Sequence, residues 1–513
     1  MRFKFLRLEY VLGILLFIIL AGVQILFIIK TSHFEGRYSE YGSIANSLLQ
    51  GKGFSSPFVI ESGPTAWMPP FLVYLIYAVF SCFGKTVAAF LVLSLIKFAT
   101  YSLSYLLLVK SINFSGLKQN GVVIWIMFMC YIFLSIYQNF KALNDYWLFT
   151  LLISLFIYYY LRYRKAENGK NLFFLATVLF FAPLISPGIT ISFVIIIGLD
   201  YIVTVNQALF VNNKSPKLKL FFINCFRDTR RLSRLFIIVL AILCSTSLWT
   251  IRNFVVFNKL IPIKSNAWFE FYLSNVEANN GLLTQSILVK DHPLMNPMVA
   301  LDYKNLGESN WLANYEMISR DYKEKNKKDY HRKIFNRFIS AFFYIDLDDN
   351  ATKTSILNKL SPSDSSKLVS SKILYHDVWT TIDEPEESFK NKINKLSLES
   401  PVLVYTDWEE SRKILSGRRH SFVEILRSLM MTLIPTVCFI VLLFSATIRK
   451  NILYKILLVF YITYLIPFIL ISHQMRYQRP LFLLQIVFIY FVLIWVFEKV
   501  KVRFPKVLML SGK

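Results

Sequence analysis

Long apolar runs alternate along this chain with short basic or mixed loops. Ten runs stand out, near residues 10–30, 86–109, 121–140, 146–162, 171–186, 187–205, 235–251, 425–446, 452–471 and 481–498. Most approach the roughly 20 apolar residues that a helix needs to cross a hydrocarbon core. An eleventh run, WMPPFLVYLIYAVFSCFG at 67–84, is shorter and opens beside two prolines. The pattern predicts an all-α polytopic membrane protein with about ten transmembrane helices. Polar sequence dominates two places, residues 31–85 and 253–423. Within the second, residues 300–345 place apolar positions at helical spacing and predict helix. Residues 350–400 are richer in Ser, Lys and Asp and poor in aromatics, which predicts a peripheral insertion. The expected organisation is a membrane core at 1–252, a mainly helical region outside the membrane at 253–423, and C-terminal transmembrane helices at 424–513.

Composition agrees with a bilayer as solvent: 55% of the 513 residues are hydrophobic and 16% aromatic. The first run has a basic flank, is too long for a cleaved signal and lacks a small-residue cleavage site. It is therefore expected to stay as the first helix. A net charge of +25 raises the question of nucleic acid, yet the basic run RDTRRLSR (227–234) sits between apolar spans without an accompanying aromatic or glycine pattern. Lys and Arg collecting in cytoplasmic loops explain the charge better. If 67–84 does not span, nearly every basic cluster falls on one side. The rule thus prefers ten spans, with 67–84 an interfacial helix on the outer surface. Residues 31–85, NFKALNDY (139–146), 253–423 and SHQMRYQRP (472–480) then share the outer face. Cys82, Cys130, Cys225, Cys244 and Cys438 show no metal-ligand spacing and no disulfide framework. No Walker-type phosphate loop is present, which removes support for ATP-driven transport.

Four outer stretches carry the candidate chemistry: EYGSIANSLLQGKGFSSPF followed by GPTAWMPPF, LWTIRNFVVFNKLIPIKSN (248–266), NLGE (305–308) and HQMRYQRP (473–480). In that order and with that shared sidedness, they resemble polytopic glycosyltransferases of the C-type membrane fold. These include the protein O-mannosyltransferases and the aminoarabinose transferases. The resemblance runs through most of the membrane part and covers 345–423 poorly. It implies a C-type fold with an extracytoplasmic insertion in the C-terminal half and a sugar donor linked to polyprenyl phosphate. It further implies a bacterial cytoplasmic (inner) membrane location, with the active site on the outer face. The family's essential first-loop acid falls at Arg37 here, so the assignment moves to Glu40, which fits an E-x-G-x-I-A form, or to Glu35 nearer the membrane exit.

The residue chemistry points the same way. Moving a sugar from a lipid phosphate to a hydroxyl needs a base near the acceptor and a cationic clamp for the departing phosphate. Glu40, Glu35 and Asp145 are candidates for the first task. Arg252, Arg476 and Arg479 are candidates for the second, since a guanidinium can hold two phosphate oxygens at once. Outer-side arginines also run against the usual charge bias. Blander roles stand beside these: both glutamates as first-turn acids on an amphipathic surface helix, Asp145 as the N-cap of the next span, and Arg252 as an interfacial anchor beside Trp249. His473, His292 and Glu308 are additional candidates. No close-spaced ligand set marks a metal site, so no obligate metal is expected, and a divalent ion stays open as an accessory. The expected partners are a polyprenyl-phosphate sugar, an acceptor on protein, lipid or envelope glycan, and the bilayer, with no nucleic acid. The alternatives are a transporter or flippase for lipid-linked glycans and an inactive member of the same fold.

Overall fold

The computed structural model describes residues 8–31, 40–116, 121–139, 145–206, 228–294, 296–343, 433–473 and 475–503. Among them, 82% are helical and none forms a strand. In their described parts, all ten apolar runs contain helices: α1 (Leu8–Thr31), α4 (Val87–Phe114), α5 (Gly121–Asn139), α6 (Tyr146–Lys165), α7 (Gly169–Ile185), α8 (Pro187–Val205), α9 (Thr229–Phe257), α14 (Ile434–Leu443), α16 (Ile452–Leu470) and α17 (Phe482–Arg503); residues 425–432 lie outside the described residues. Five of these, α1, α4, α8, α9 and α16, contain stretches long and apolar enough to cross a membrane. Glu35 and residues 350–400 lie outside the described residues.

Between α1 and α4 lie α2 (Glu40–Leu49) and α3 (Pro70–Phe83). At about 1.5 Å per residue α3 is roughly 21 Å long, short of a 30 Å hydrocarbon core. It packs against α2, α4 and α7 through Leu72, Val73, Ile76 and Phe80. The 259–343 region contains α10 (Ala267–Tyr272), a π-helical turn at Leu273–Glu277, α11 (Gln285–Asp291), α12 (Pro297–Lys325) and α13 (Lys327–Phe343). The helical periodicity at 300–345 thus resolves into two helices. A short α15 (Ala446–Arg449) precedes α16, and a 3-10 turn, Met475–Leu481, leads into α17.

Two apolar cores result. The large one joins the apolar helices, with α4 against α1 and α6, α7 against α9, and α16 against α8. The smaller one gathers Phe269, Leu273, Leu283, Leu288, Tyr303 and Trp311 around two residues of the first polar loop, Phe58 and Trp67. Trp67 meets Phe58 edge-on at 4.9 Å and lies 5.5 Å from Phe269, so the loop is part of this core.

Polar contacts among the described residues fall into two groups. Asn451 Nδ2 donates to the Ser115 carbonyl at 3.1 Å, and Arg234 pairs with Glu167, all in loops or helix ends expected inside. At the other end, segments 40–67, 145, 252–343 and 469–478 bond to one another.

Candidate functional site

Glu40 is the first residue of α2, where a carboxylate meets the positive end of the helix dipole. The helix is not the surface element that an amphipathic reading predicts. Tyr41 through Ser47 are all buried, and Glu40 itself is half-buried. The reason is that α2 packs under α3 and sends Tyr41, Ile44 and Ala45 into the membrane-helix core.

Asp145 stands at the N-cap position of α6, yet its side chain makes no capping hydrogen bond. Its Oδ2 instead accepts from the Tyr41 hydroxyl at 2.5 Å. This bond spans 104 positions of sequence and joins the two acid-bearing loops. Burial, and then the Asp145 charge, hold the Tyr41 hydroxyl well above its ordinary pKa, so it stays protonated and donates. Sequence reasoning passed over Tyr41; an aromatic hydroxyl directly beside the candidate acid was the available signal.

The short turn Met475–Leu481 packs against both α6 and α17, which brings the Arg476 and Arg479 backbone to the α6 side of the assembly. The side chains of these two arginines are not among the described atoms. Several bonds fix the turn. The Tyr477 hydroxyl donates to Glu270 Oε2 at 3.1 Å, Ser274 Oγ to Ser472 Oγ at 2.6 Å, and Gln478 Nε2 to the Ala341 carbonyl at 2.5 Å. Tyr464 of α16 donates to the Tyr477 carbonyl at 3.0 Å and lies within electrostatic reach of Asp145. Asp145 thus joins the first loop through Tyr41, and α6, which it precedes, packs against the Met475–Leu481 turn.

Behind the turn sits Arg337 of α13, fully buried. Its Nε donates to the Ile469 carbonyl at 2.6 Å, Nη2 to that of Leu470 at 3.3 Å, and Nη1 to Asn275 Oδ1 at 3.1 Å and the Gly281 carbonyl at 3.2 Å. These acceptors are neutral dipoles, and burial lowers the guanidinium pKa to about 10, still charged at neutral pH. His473 is 1% exposed, and neither ring nitrogen has a hydrogen-bond partner among the described residues. Burial, with a smaller contribution from Arg337, lowers its pKa to about 4, so the ring is neutral. His292 lies in the aromatic core, 5.4 Å from Phe58, with its Nδ1 accepting from the Leu294 amide at 3.1 Å.

Arg252 and Glu308 occupy a second polar cluster around the hairpin-like loop 54–66. Arg252 Nη2 donates to the Phe54 carbonyl at 2.8 Å and Nη1 to the Thr65 carbonyl at 2.7 Å. Its guanidinium also lies 5.2 Å from both the Phe54 and Trp249 rings. Glu308 is fully enclosed; the Ala66 amide and Ser265 Oγ donate to its Oε1, each at 2.7 Å. Tyr303, at 2.7 Å, and Thr65 donate to its Oε2. Burial raises the Glu308 pKa above the ordinary value, and these four donors pull it back. Gly307, at φ 71°, breaks α12 immediately before Glu308 and re-aims the chain there.

Among the described residues, no group of three or more His, Cys, Asp or Glu could hold a metal ion. No family model, curated protein or solved structure matches this chain.

Proposed function

We propose that the chain is a membrane glycosyltransferase that moves a sugar from a polyprenyl-phosphate donor to an acceptor hydroxyl with inversion. The observation that supports this reading is the Tyr41–Asp145 bond, which ties the Glu40 helix to a second carboxylate at the start of α6, a helix that also packs on the turn bearing Arg476 and Arg479. In this reading Glu40, with Glu35 as the alternative, takes the proton of the acceptor hydroxyl. The oxygen attacks the anomeric carbon, the carbon–oxygen bond to the lipid phosphate breaks, and its electron pair leaves on the phosphate. Arg476 and Arg479 hold the phosphate as charge develops, because paired guanidinium donors match its oxygens. Arg252 adds positive charge, but two of its nitrogens already bind loop carbonyls. The donor's lipid tail would lie between apolar helices, with the reaction on the outer face of a cytoplasmic membrane. The topology adopted for this reading is ten spans, with α3 along the interface.

The test offers the purified chain in lipid nanodiscs a panel of labelled polyprenyl-phosphate sugars, and in parallel labelled sugar nucleotides, with cell-envelope acceptors. Label should pass to acceptor from a lipid-linked donor alone. Consumption of sugar nucleotides without any use of lipid-linked donors would overturn the reading.

A further inference from the structure

The loop between α2 and α3 is gripped from two directions, and both grips meet at Thr65. Every polar group of this residue is engaged. Its amide donates to the Phe54 carbonyl at 3.2 Å, and its carbonyl accepts from Arg252. Its hydroxyl donates to Glu308 and accepts from the Trp67 amide at 2.9 Å. Arg252 reaches across from α9 to both ends of the hairpin, Phe54 and Thr65, while Glu308 holds Thr65 and Ala66 from α12. Ser265 adds to the same knot, its amide donating to the Ala66 carbonyl at 3.0 Å and its hydroxyl to Glu308.

The grips hold a loop with unfavourable backbone geometry. Ser56 and Glu61 both sit at positive φ, 55° and 62°, although neither is glycine. Such conformations persist only where the surroundings enforce them. On one side the hairpin is joined to α2 by the four residues 50–53, whose Gly51 and Gly53 are also at positive φ. On the other, Trp67 leads into α3, which packs on α2. Any shift of the hairpin is thereby passed to the helix that begins at Glu40.

We propose that Arg252, Thr65 and Glu308 act as one strap, in which a cation from a membrane helix and a buried carboxylate from the 259–343 region jointly position the first loop. They are positioning residues, and Arg252 acts chiefly on the loop rather than on a substrate phosphate. Charge and shape both matter. The two Glu308 oxygens accept two donors each, which an ionised carboxylate does and an amide does not. A lysine at 252 would bring a point charge in place of a fork that spans two carbonyls. The consequence for turnover rests on the transfer reaction proposed above; the structural coupling does not.

Hydrogen–deuterium exchange on the full chain in nanodiscs tests the strap without any substrate. Arg252→Lys, Glu308→Gln and Thr65→Val should each speed exchange of the 54–67 amides about tenfold or more. Peptides from α12 and the membrane helices should exchange as in the parent, which separates loosening of the loop from misfolding. Thr65→Ser, which keeps the hydroxyl, should behave as the parent. Because the strap works as a unit, the Arg252→Lys/Glu308→Gln double variant should exchange little faster than either single variant. Multiplying effects, or parent-like exchange in Thr65→Val, would overturn the proposal. In the transfer assay the variants should lower kcat while leaving the donor KM unchanged. A raised donor KM in Arg252→Lys with parent-like loop exchange would instead place this arginine on the phosphate and contradict the strap. Coupled exchange in a chain that transfers no sugar from any donor would support the strap and count against the transferase reading alone.

Discussion

Tyr41 and Asp145 show how single residues fix the candidate site. A hydrogen bond to an ionised group contributes about 1.5–3 kcal/mol, and losing it leaves Asp145 without its clearest tie to α2. Tyr41→Phe should therefore lower sugar transfer by about 10- to 100-fold while the protein stays folded, as read from initial rates beside a circular dichroism melt. His473 makes a second residue-scale prediction. Its folded pKa, lowered to about 4 from 6.5, means that the unfolded chain binds the proton more readily. The stability contributed by the neutral ring is full above pH 6.5 and is lost as pH falls towards 4, a change of about 3 kcal/mol. Asp291, raised to about 6 by burial and the Glu277 charge, works in the opposite sense and loses stability as pH rises through that value. Comparing the parent with His473→Leu across pH 4–7 by thermal unfolding isolates the histidine. The parent's melting point minus the variant's should rise between pH 4 and pH 6.5, because only the parent carries the histidine contribution while the opposing Asp291 contribution is common to both. None of these residue-level ties was legible beforehand, since partners 104 or 243 positions apart leave no local periodicity.

At the scale of elements, the sequence was far more informative. Apolar run length marks a membrane helix directly, because an isolated span must satisfy its own backbone hydrogen bonds in lipid. Hence the described parts of all ten runs contain helices, and the described part of the periodic stretch at 300–345 falls in α12 and α13. The break at Gly307 and the burial of α2 were hidden, as both depend on what packs against them. The junction around Gly281 shows the tightness of that packing. Gly281 adopts φ 84°, and a Cβ there would stand 2.6 Å from the Lys333 Cβ. The crowding reaches the α13 face that carries Arg337, one turn on from Lys333. Gly281→Ala should destabilise the 259–343 region by about 2–4 kcal/mol, through a positive-φ alanine and a steric clash together. The check is faster amide exchange confined to α13 and the π-helical turn; parent-like exchange would contradict it.

Taken as a whole, the molecule has two chemically distinct ends. Basic loops expected inside meet one another, as at Ser115 and Asn451, while Glu40, Asp145 and Arg252 belong to segments that meet at the opposite end. Charge bias in the sequence expects loops on two sides because it reports on loops one at a time and needs no knowledge of packing. It could not tell which acids meet. Glu40 and Asp145 are linked through Tyr41, whereas Arg252 and Glu308 belong with the loop hairpin. The central claim is that a first-loop carboxylate acts as base in transfer from a lipid-linked sugar. It is tested most directly by the rate at which purified Glu40→Gln and Glu35→Gln variants release polyprenyl phosphate in the presence of acceptor. The account predicts a loss of at least 100-fold in Glu40→Gln, in keeping with the usual contribution of general base catalysis, and a much smaller loss in Glu35→Gln. Parent-like release from both variants would contradict it.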